Sequence, residues 1–207
     1  LILAETFIQD NNICLILGDN IFHGNGQIKL FNNAIKELKN NRISSIFGYQ
    51  VANPNRYGVV NFKKNNEIID IEEKPVQPKS NYAVVGIYFY TSEVIKIAKN
   101  LKPSKRGELE ITDLNKNLLI KKKSRLDLIE SSSIWLDTGT ADFLLDASNL
   151  IKTIEKRNGK IIACLEEISH KMGFIKKENL QKIIINLSKS EYDNYLRQYI
   201  LNQVKQD

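Results

Sequence analysis

The chain has 207 residues, of which 42% are hydrophobic and 26% are charged. That length supports one sizeable core with at most a small appendage, and that composition excludes a disordered or fibrous protein. The formal net charge is +6, but the lysines are scattered and no groove-reading helix or basic aromatic motif accompanies them, so we expect no nucleic-acid partner. No apolar run has the length of a membrane span, so we expect no membrane partner either.

The first half of the chain predicts a layered α/β domain. The apolar run "ICLILGD" (Ile13 to Asp19) is typical of a buried strand in a parallel sheet. A helix follows, with Ile28, Phe31, Ile35 and Leu38 on one face, and then the strand "SSIFGYQV". Strand, helix and strand in this order predict a right-handed crossover.

The middle of the chain predicts an antiparallel element laid onto this α/β core. Three short strand patterns follow one another, separated by turns that contain Lys, Asn and Pro: "YGVVNF", "EIIDIEE" and "NYAVVGIYFY".

The second half predicts alternating elements and then a helical end. We expect helices at Glu93 to Leu101 and Ile111 to Lys122, a strand at Leu126 to Ile129, and a helix at Ala141 to Arg157. The run "IIACLE" predicts one more strand, and the chain after it is mostly helical. The expected fold is α/β, with a mixed, mostly parallel central sheet flanked by helices (Rossmann-like), an antiparallel insert and a helical C-terminal part. The expected boundary divides residues 1–165 from residues 166–207.

The two cysteines lie inside apolar runs. Cys14 is in "ICLIL" and Cys164 is in "IIACL", and neither belongs to a metal-ligand or redox spacing. We expect both to be reduced core residues, which suits a cytoplasmic protein.

Two aspartates follow apolar segments. Asp19 ends the first strand, and Asp137 ends the segment "IWLD". Each alone is more often a turn or helix-cap residue. Ligands of α/β folds bind at this edge of the sheet, however, and two converging carboxylates suit Mg²⁺ when substrate phosphates complete its coordination.

Two charged motifs are candidates for binding a phosphorylated ligand. In "IEEKP", Glu73 can accept hydrogen bonds from hydroxyl groups and Lys74 can contact a phosphate, although a solvated charged turn fits the same pattern. In "KRGELEITDLN", Arg106 can bind a phosphate with its guanidinium fork, while a helix start capped by Thr112 also fits.

Several longer motifs resemble one enzyme family in order and approximate spacing. "LGDNIFHGNG", "RYGVVNF", "IEEKPVQPKSNYAVVGIYFY", "LKPSKRGELEITDLN", "WLDTGT" and "IACLEEISHKMGFI" resemble glucose-1-phosphate thymidylyltransferases of the dTDP-rhamnose pathway. The resemblance extends over nearly the whole chain from about Ala4. It implies the nucleotide-diphospho-sugar transferase fold and the reaction of dTTP with glucose 1-phosphate to give dTDP-glucose and pyrophosphate.

The resemblance also implies a role for each matching residue. Asp19 and Asp137 match the metal-binding aspartates, and the implied cofactor is Mg²⁺. Lys74 and Arg106 match the residues that hold the sugar phosphate, where they would act in catalysis as well as binding. The positions that line the glucose match Gly58, Glu73 and Val84, the first and last through their backbones. Trp135 resembles a wall of the same pocket, although a core tryptophan is nearly as compatible with the pattern.

Departures from the family pattern leave alternatives open. The family's Gly-x-Gly-Thr-Arg triphosphate loop has no counterpart in these residues, and Ser131 replaces an arginine of a secondary nucleotide site. The chain is therefore expected to retain the sugar-phosphate half of the site and to be poorly active alone. A non-catalytic sugar-phosphate-binding homologue, or a transferase that uses UTP or CTP, are the alternatives. The resemblance further implies a homotetramer.

Overall fold

A computed structural model describes residues 1–24, 26–184 and 188–204 of the protein. The chain divides into two compact units, Leu1–Phe143 and Leu144–Asp207. No helix among the described residues combines the length and the apolar character that crossing a membrane requires.

The first unit contains all the described strands. Its elements are α1 (Glu5–Ile8), β1 (Ile13–Ile16), β2 (Asn20–His23), α2 (Gly26–Asn41), β3 (Ser44–Gln50), β4 (Gly58–Phe62), β5 (Ile68–Glu73), β6 (Tyr82–Tyr90), α3 (Glu93–Lys99), α4 (Ile111–Ile120), β7 (Ser124–Ile129) and β8 (Ile134–Asp137), with 3-10 turns at Ile2–Ala4 and Pro54–Arg56. The strand and helix predictions up to Asp137 are therefore confirmed in position, apart from small shifts at their ends. The prediction that the first strand is buried in a parallel sheet was wrong, because β1 is antiparallel to its partner β6 and only partly buried.

The main sheet of the described chain has the order β5-β4-β6-β3-β7, and β1 also pairs with β6. Strands β1, β3 and β4 are antiparallel to β6, while β7 is parallel to β3. Four of the six strands of this sheet thus run in one direction, and β5 and β6 run in the other. The α/β class with a mixed sheet is confirmed. The predicted antiparallel element, β4 to β6, is part of this same sheet.

Both faces of the sheet are covered by helices. Alternate residues of a strand point to opposite faces, and β6 contributes to two cores. Val85, Ile87 and Phe89 pack with Ala34 and Leu38 of α2. On the other face, the core contains residues of β6 and of α3 and α4, among them Tyr88, Tyr90, Val94 and Leu114. The long strand β6 is therefore the centre of the unit.

A second, two-stranded sheet is formed by β2 and β8. These strands are antiparallel, and their register pairs Asn20 with Asp137 and Phe22 with Trp135. Strand β2 was not predicted, because its four residues follow "ICLILGD" without a separate strand signal. This ribbon joins segments more than a hundred residues apart.

The described part of the second unit is helical. Helix α5 (Ala141–Asn158) leads into it, and α6 (Leu165–Lys171), α7 (Lys177–Ile184) and α8 (Glu191–Val204) follow. Its core contains Cys164, Leu180, Leu196 and Ile200. Glutamates of α6 accept hydrogen bonds from tyrosines of α8, from Tyr192 to Glu166 and from Tyr195 to Glu167. The predicted helical C-terminal part is confirmed for its described residues, and the boundary at residue 165 stays a prediction.

Three further local predictions were wrong. The run "IIACLE" forms a turn and the start of α6 rather than a strand, because Cys164 and the helical residues after it build the apolar core of the second unit. Cys14 is exposed, since β1 buries alternate residues only partly. Ile28 is also exposed, because α2 instead buries Gln27, Ala34 and Leu38.

Candidate functional site

The ribbon of β2 and β8 brings the two predicted metal-binding aspartates together. Asp19 immediately precedes β2, and Asp137 is the last residue of β8. The backbone oxygen of Asp19 accepts hydrogen bonds from the Thr138 amide at 2.8 Å and from the Thr138 hydroxyl at 2.9 Å. The two segments are therefore bonded to each other at the point where the carboxylates project.

The two carboxylates face a common point beside Gly139. A Cβ atom placed on Gly139 would lie 3.1 Å from Oδ1 of Asp137 and 3.6 Å from Oδ2 of Asp19. The Gly139 amide donates to Oδ1 of Asp137 at 3.1 Å. A glycine after the turn thus leaves open a space that a side chain would fill and that both carboxylates face.

A cavity of about 200 Å³ adjoins these aspartates. Every residue predicted for the site except Arg106 lines it: Asp19, Gly58, Glu73, Lys74, Val84, Trp135 and Asp137. The cavity is also lined by polar side chains that were not predicted, namely Asn20, Arg56, Tyr57, Tyr88 and Thr112. The structure therefore gathers residues from five separate sequence motifs around one small space.

Glu73 is held in the cavity by Thr112. The Thr112 hydroxyl donates to Oε2 of Glu73 at 2.5 Å. Gly58 is paired with Glu73 across β4 and β5, and a Cβ atom on Gly58 would lie 3.1 Å from the Thr112 hydroxyl oxygen. Thr112 does not cap α4 as one alternative predicted, since Glu110 stands at the N-cap position without a side-chain capping bond. The absent side chain at Gly58 keeps the region above Glu73 accessible.

Lys74 occupies an unusual backbone conformation at the end of β5. Its φ is 43°, in the left-handed region that non-glycine residues rarely adopt. The residue after it is a proline, which also disfavours ordinary helical conformations at Lys74. Its amide donates to the Tyr57 carbonyl at 3.0 Å, whereas no ion pair is described for its ammonium group within the ranges that the structure covers. The side chain is therefore available for an anionic ligand.

Arg106 is the one predicted site residue that does not line this cavity. It lines a neighbouring cavity that also contains Glu73 and Pro75. Its guanidinium nitrogens lie 3.1 Å from Glu108, 3.6 Å from Glu110 and 4.0 Å from Glu73. In this structure the guanidinium is close to three carboxylates, one of which, Glu73, also lines the cavity beside Lys74.

Trp135 is both a core residue and a wall of the cavity. It is 7% exposed, and its ring makes edge contacts with Tyr49 and Tyr57. Burial raises the pKa of the Tyr57 phenol, and the negative charge of Asp137 raises it further. The phenol therefore remains a neutral hydrogen-bonding group at physiological pH. The two sequence-based alternatives for Trp135 are compatible with each other.

Asn20, Arg56 and Thr112 are cavity residues that sequence reasoning missed. Arg56 stacks on Phe143, with its guanidinium carbon 4.1 Å from the ring centroid. Each of them lies beside or within a motif that was recognised: Asn20 follows Asp19, Arg56 precedes "YGVV", and Thr112 lies in "RGELEITD". Polar residues in such positions are common in turns and helix starts, so the pattern alone does not distinguish a site residue.

The donor set fits a hard divalent cation whose remaining ligands are water or phosphate oxygens. Within the described residues, no group of three or more His, Cys, Asp or Glu is arranged to hold a metal ion. Two carboxylates that face one open point match the way proteins hold Mg²⁺, through one or two carboxylates completed by water and phosphate oxygens. Asp19 and Asp137 therefore fit such an ion.

Comparison with known proteins shows the family of this chain. Residues 1–154 match the family model described as nucleotidyl transferase. A glucose-1-phosphate thymidylyltransferase of Neisseria meningitidis is 41% identical over 94% of this chain and 67% of its own length. The enzyme of the same name from Mycobacterium tuberculosis H37Rv is 43% identical over 94% of this chain and 66% of its own length.

Solved structures agree on the fold. One is a Bacillus anthracis protein described as a glucose-1-phosphate thymidylyltransferase, in complex with a sucrose. It is 40% identical to this chain with a TM-score of 0.61, and the match covers 72% of this chain and 58% of that one. A UDP-glucose pyrophosphorylase complexed with UDP-glucose has a TM-score of 0.64 at 24% identity, over 73% and 60% of the two chains, which supports the fold alone.

The matches extend over most of this chain but only part of each relative. The chain spans about two thirds of the length of the curated relatives it matches. The matching segment includes all the strands described above and the residues around the cavity. The chain belongs to the nucleotidyl transferase family, and its relatives there include glucose-1-phosphate thymidylyltransferases.

Proposed function

We propose that this cavity is the sugar-phosphate and metal half of a glucose-1-phosphate thymidylyltransferase site. The reaction would convert dTTP and glucose 1-phosphate into dTDP-glucose and pyrophosphate. The observation that carries the proposal is the convergence of Asp19 and Asp137 beside a cavity that also holds Glu73 and Lys74. The names of the curated relatives support the same reaction.

The chemistry explains why these residue types are needed. An oxygen of the sugar phosphate forms a bond to the α-phosphorus of dTTP, and the bond to pyrophosphate breaks. Both reactants are anions, so catalysis depends on alignment and on neutralising their charges. The ammonium of Lys74, which has no described ion pair, would bind the sugar phosphate. Glu73 would accept hydrogen bonds from glucose hydroxyls, and the backbones at Gly58 and Val84 would line the ring.

Mg²⁺ would be the cofactor. Bound to Asp19 and Asp137, it would supply charge neutralisation and a template for the nucleotide phosphates. The protein's own contribution is to hold the two carboxylates toward one point through the β2–β8 register and the Thr138 hydrogen bonds.

The choice of nucleotide has less support than the sugar-phosphate site. The 207 residues contain no Gly-x-Gly-Thr-Arg segment, which is the element expected to bind the triphosphate. A transferase that uses UTP stays the alternative, because the likeness to a UDP-glucose pyrophosphorylase supports the fold alone. The names of the relatives at 41% and 43% identity favour dTTP.

By the same resemblance, we infer that the protein forms a homotetramer. We also infer a cytoplasmic location, with which its two free cysteines agree.

Calorimetric titration of the full chain with glucose 1-phosphate, and separately with dTTP, tests the proposal. We expect saturable binding of glucose 1-phosphate and much weaker binding of dTTP. Lys74→Met should weaken glucose 1-phosphate binding by about tenfold or more, because a charge-assisted hydrogen bond to phosphate contributes about 1.5–3 kcal/mol. Lys79→Met is the matched control, since the Lys79 ammonium pairs with Glu72 at 2.5 Å and lies outside the cavity lining.

Two outcomes would contradict parts of this assignment. If glucose 1-phosphate does not bind, or binds equally well to Lys74→Met, the sugar-phosphate site is wrong. If Arg106→Ala abolishes binding as completely as Lys74→Met, Arg106 must leave its carboxylate partners when the ligand binds. Pyrophosphate release in the presence of dTTP, glucose 1-phosphate and Mg²⁺ distinguishes an active transferase from a non-catalytic sugar-phosphate-binding homologue.

A further inference from the structure

The side chain of Asn20 connects the central sheet to the carboxylate of Asp19. Its Oδ1 accepts hydrogen bonds from the Trp135 indole nitrogen at 2.7 Å and from the Gly86 amide at 2.9 Å. Its Nδ2 donates to Oδ1 of Asp19 at 2.7 Å. One amide group thus joins β6, β8 and the candidate metal site.

The orientation of this amide is determined by the groups around it. An indole N–H and a backbone N–H can only donate, so both require an acceptor. They use the two lone pairs of Oδ1, and Nδ2 must then lie on the other side, toward Asp19. A flipped amide would place donors against donors and an oxygen against a carboxylate. Asn20 can therefore present only its NH₂ group to Asp19.

Gly86 allows the close approach on which this arrangement depends. A Cβ atom on Gly86 would lie 2.7 Å from Cγ, Oδ1 and Nδ2 of Asn20. Real Cβ atoms do not approach other heavy atoms so closely, so a side chain at this position would displace the amide. The displaced atoms form the end of a side chain, which can move without disrupting the backbone of β6.

The hydrogen bond from Asn20 gives the two carboxylate oxygens of Asp19 different surroundings. Oδ1 is occupied by the amide of Asn20, while Oδ2 faces the point that Oδ1 of Asp137 also faces. A carboxylate that accepts an outer hydrogen bond through one oxygen has a restricted rotation, which directs the other oxygen. Groups that orient metal ligands in this way commonly change metal affinity by 10- to 100-fold when they are removed.

We propose that Asn20 is a positioning residue, which directs Oδ2 of Asp19 toward the cation shared with Asp137 and is itself oriented by Trp135 and Gly86. This inference rests on the proposed metal role of the two aspartates. It assigns to Asn20 a function in cation binding without direct contact with the cation.

Mn²⁺ binding to the full chain tests the proposal without an activity assay. The free aqueous ion is counted by its electron paramagnetic resonance signal, and the dissociation constant is obtained by titration. Asn20→Ala should weaken Mn²⁺ binding by about tenfold or more. Asn41→Ala is the matched control, because the Asn41 amide also donates to a carboxylate, that of Glu37 at 2.8 Å, at an exposed position outside the cavity lining. It should leave the dissociation constant unchanged.

A double-mutant cycle separates positioning from a general loss of structure. Gly86→Ala should also weaken Mn²⁺ binding, by displacing the Asn20 amide. In the Asn20→Ala background, Gly86→Ala should have no further effect, because no amide remains to be displaced. Equal weakening by Gly86→Ala in both backgrounds would overturn the proposal. If Asn20→Ala does not fold, Trp135→Phe removes one of the two donors that orient the amide and should weaken Mn²⁺ binding several-fold.

Asp19→Asn distinguishes failure of this inference from failure of the proposed function. If Asp19→Asn weakens Mn²⁺ binding and Asn20→Ala does not, the metal site is supported and the positioning role is wrong. If neither substitution changes Mn²⁺ binding, the metal role of Asp19 and the positioning role of Asn20 are both wrong.

Discussion

At the scale of single residues, uncharged side chains hold the charged groups of the site. Asn20 bonds to Asp19, and Thr112 bonds to Glu73. Motifs in the sequence identified the carboxylates, because charged residues at strand ends are recognisable by type and position. The side chains that hydrogen-bond to these carboxylates could not be identified in this way. Thr112, for example, lies 39 residues from Glu73, and no local pattern links the two.

Thr112→Val should weaken glucose 1-phosphate binding by about tenfold. Valine keeps the branched shape of threonine but removes the hydroxyl that donates to Glu73, and a hydrogen bond to a charged group contributes about 1.5 kcal/mol or more. Calorimetric titration measures the change. Thr153→Val is the control, since that hydroxyl bonds to the Asn149 carbonyl on an exposed part of α5. An unchanged affinity in Thr112→Val would show that the Glu73 orientation does not depend on Thr112.

At the scale of elements, the parallel pair of β3 and β7 contains a buried polar cluster. Ser44 and Ser124 each have a buried hydroxyl oxygen without a described hydrogen-bond partner, and the Ser45 hydroxyl lies beside the Asp127 carboxylate. Arg125 donates to Oδ1 of Asp127 at 2.5 Å. Burial nevertheless raises the pKa of the Asp127 carboxyl, and the nearby Glu37 adds to the effect, while Arg125 and a hydrogen bond from Ser45 oppose it. The ionised form of Asp127 is thus less favourable in the folded protein than in the unfolded chain.

The stability contributed by Asp127 should therefore fall as the pH rises. A carboxyl whose pKa is raised by folding stabilises the folded state fully below its unfolded pKa of about 3.9, and this contribution is lost as the pH rises through the folded value. Asp127→Asn has no such titration. The melting temperature of Asp127→Asn minus that of the wild type should increase between about pH 4 and pH 7. A difference that is constant or decreases over this range would contradict the prediction.

At the scale of the whole molecule, the two compact units have separate cores. The first unit contains the six-stranded sheet and Trp135, the single tryptophan of the sequence. The described part of the second unit is helical, with a core around Leu180, Leu196 and Ile200. Tryptophan fluorescence therefore reports on the first unit, while circular dichroism at 222 nm includes the helices of both.

Leu196→Ala should destabilise the second unit by about 2–5 kcal/mol, because truncation of a fully buried leucine leaves a cavity. Thermal unfolding followed by circular dichroism should shift to lower temperature, while the Trp135 emission in the folded protein stays unchanged. Leu201→Ala is the matched control in the same helix, since Leu201 is 52% exposed, and it should shift the transition far less. Equal shifts for the two variants would show that Leu196 is not a core residue.

The sequence by itself determined most of the elements and four of the charged residues that line the cavity. Apolar periodicity depends on local chain geometry, so it located the strands from β3 to β7 and the helices between them. The resemblance located Asp19, Glu73, Lys74 and Asp137. Only the tertiary structure decided that β2 pairs with β8, that Asn20 lies between Trp135 and Asp19, and that Arg106 faces other carboxylates. These contacts join segments that are distant in sequence, or they depend on the path of a loop. The free energy that selects them comes from packing and hydrogen bonds between elements, so local sequence patterns do not reveal them.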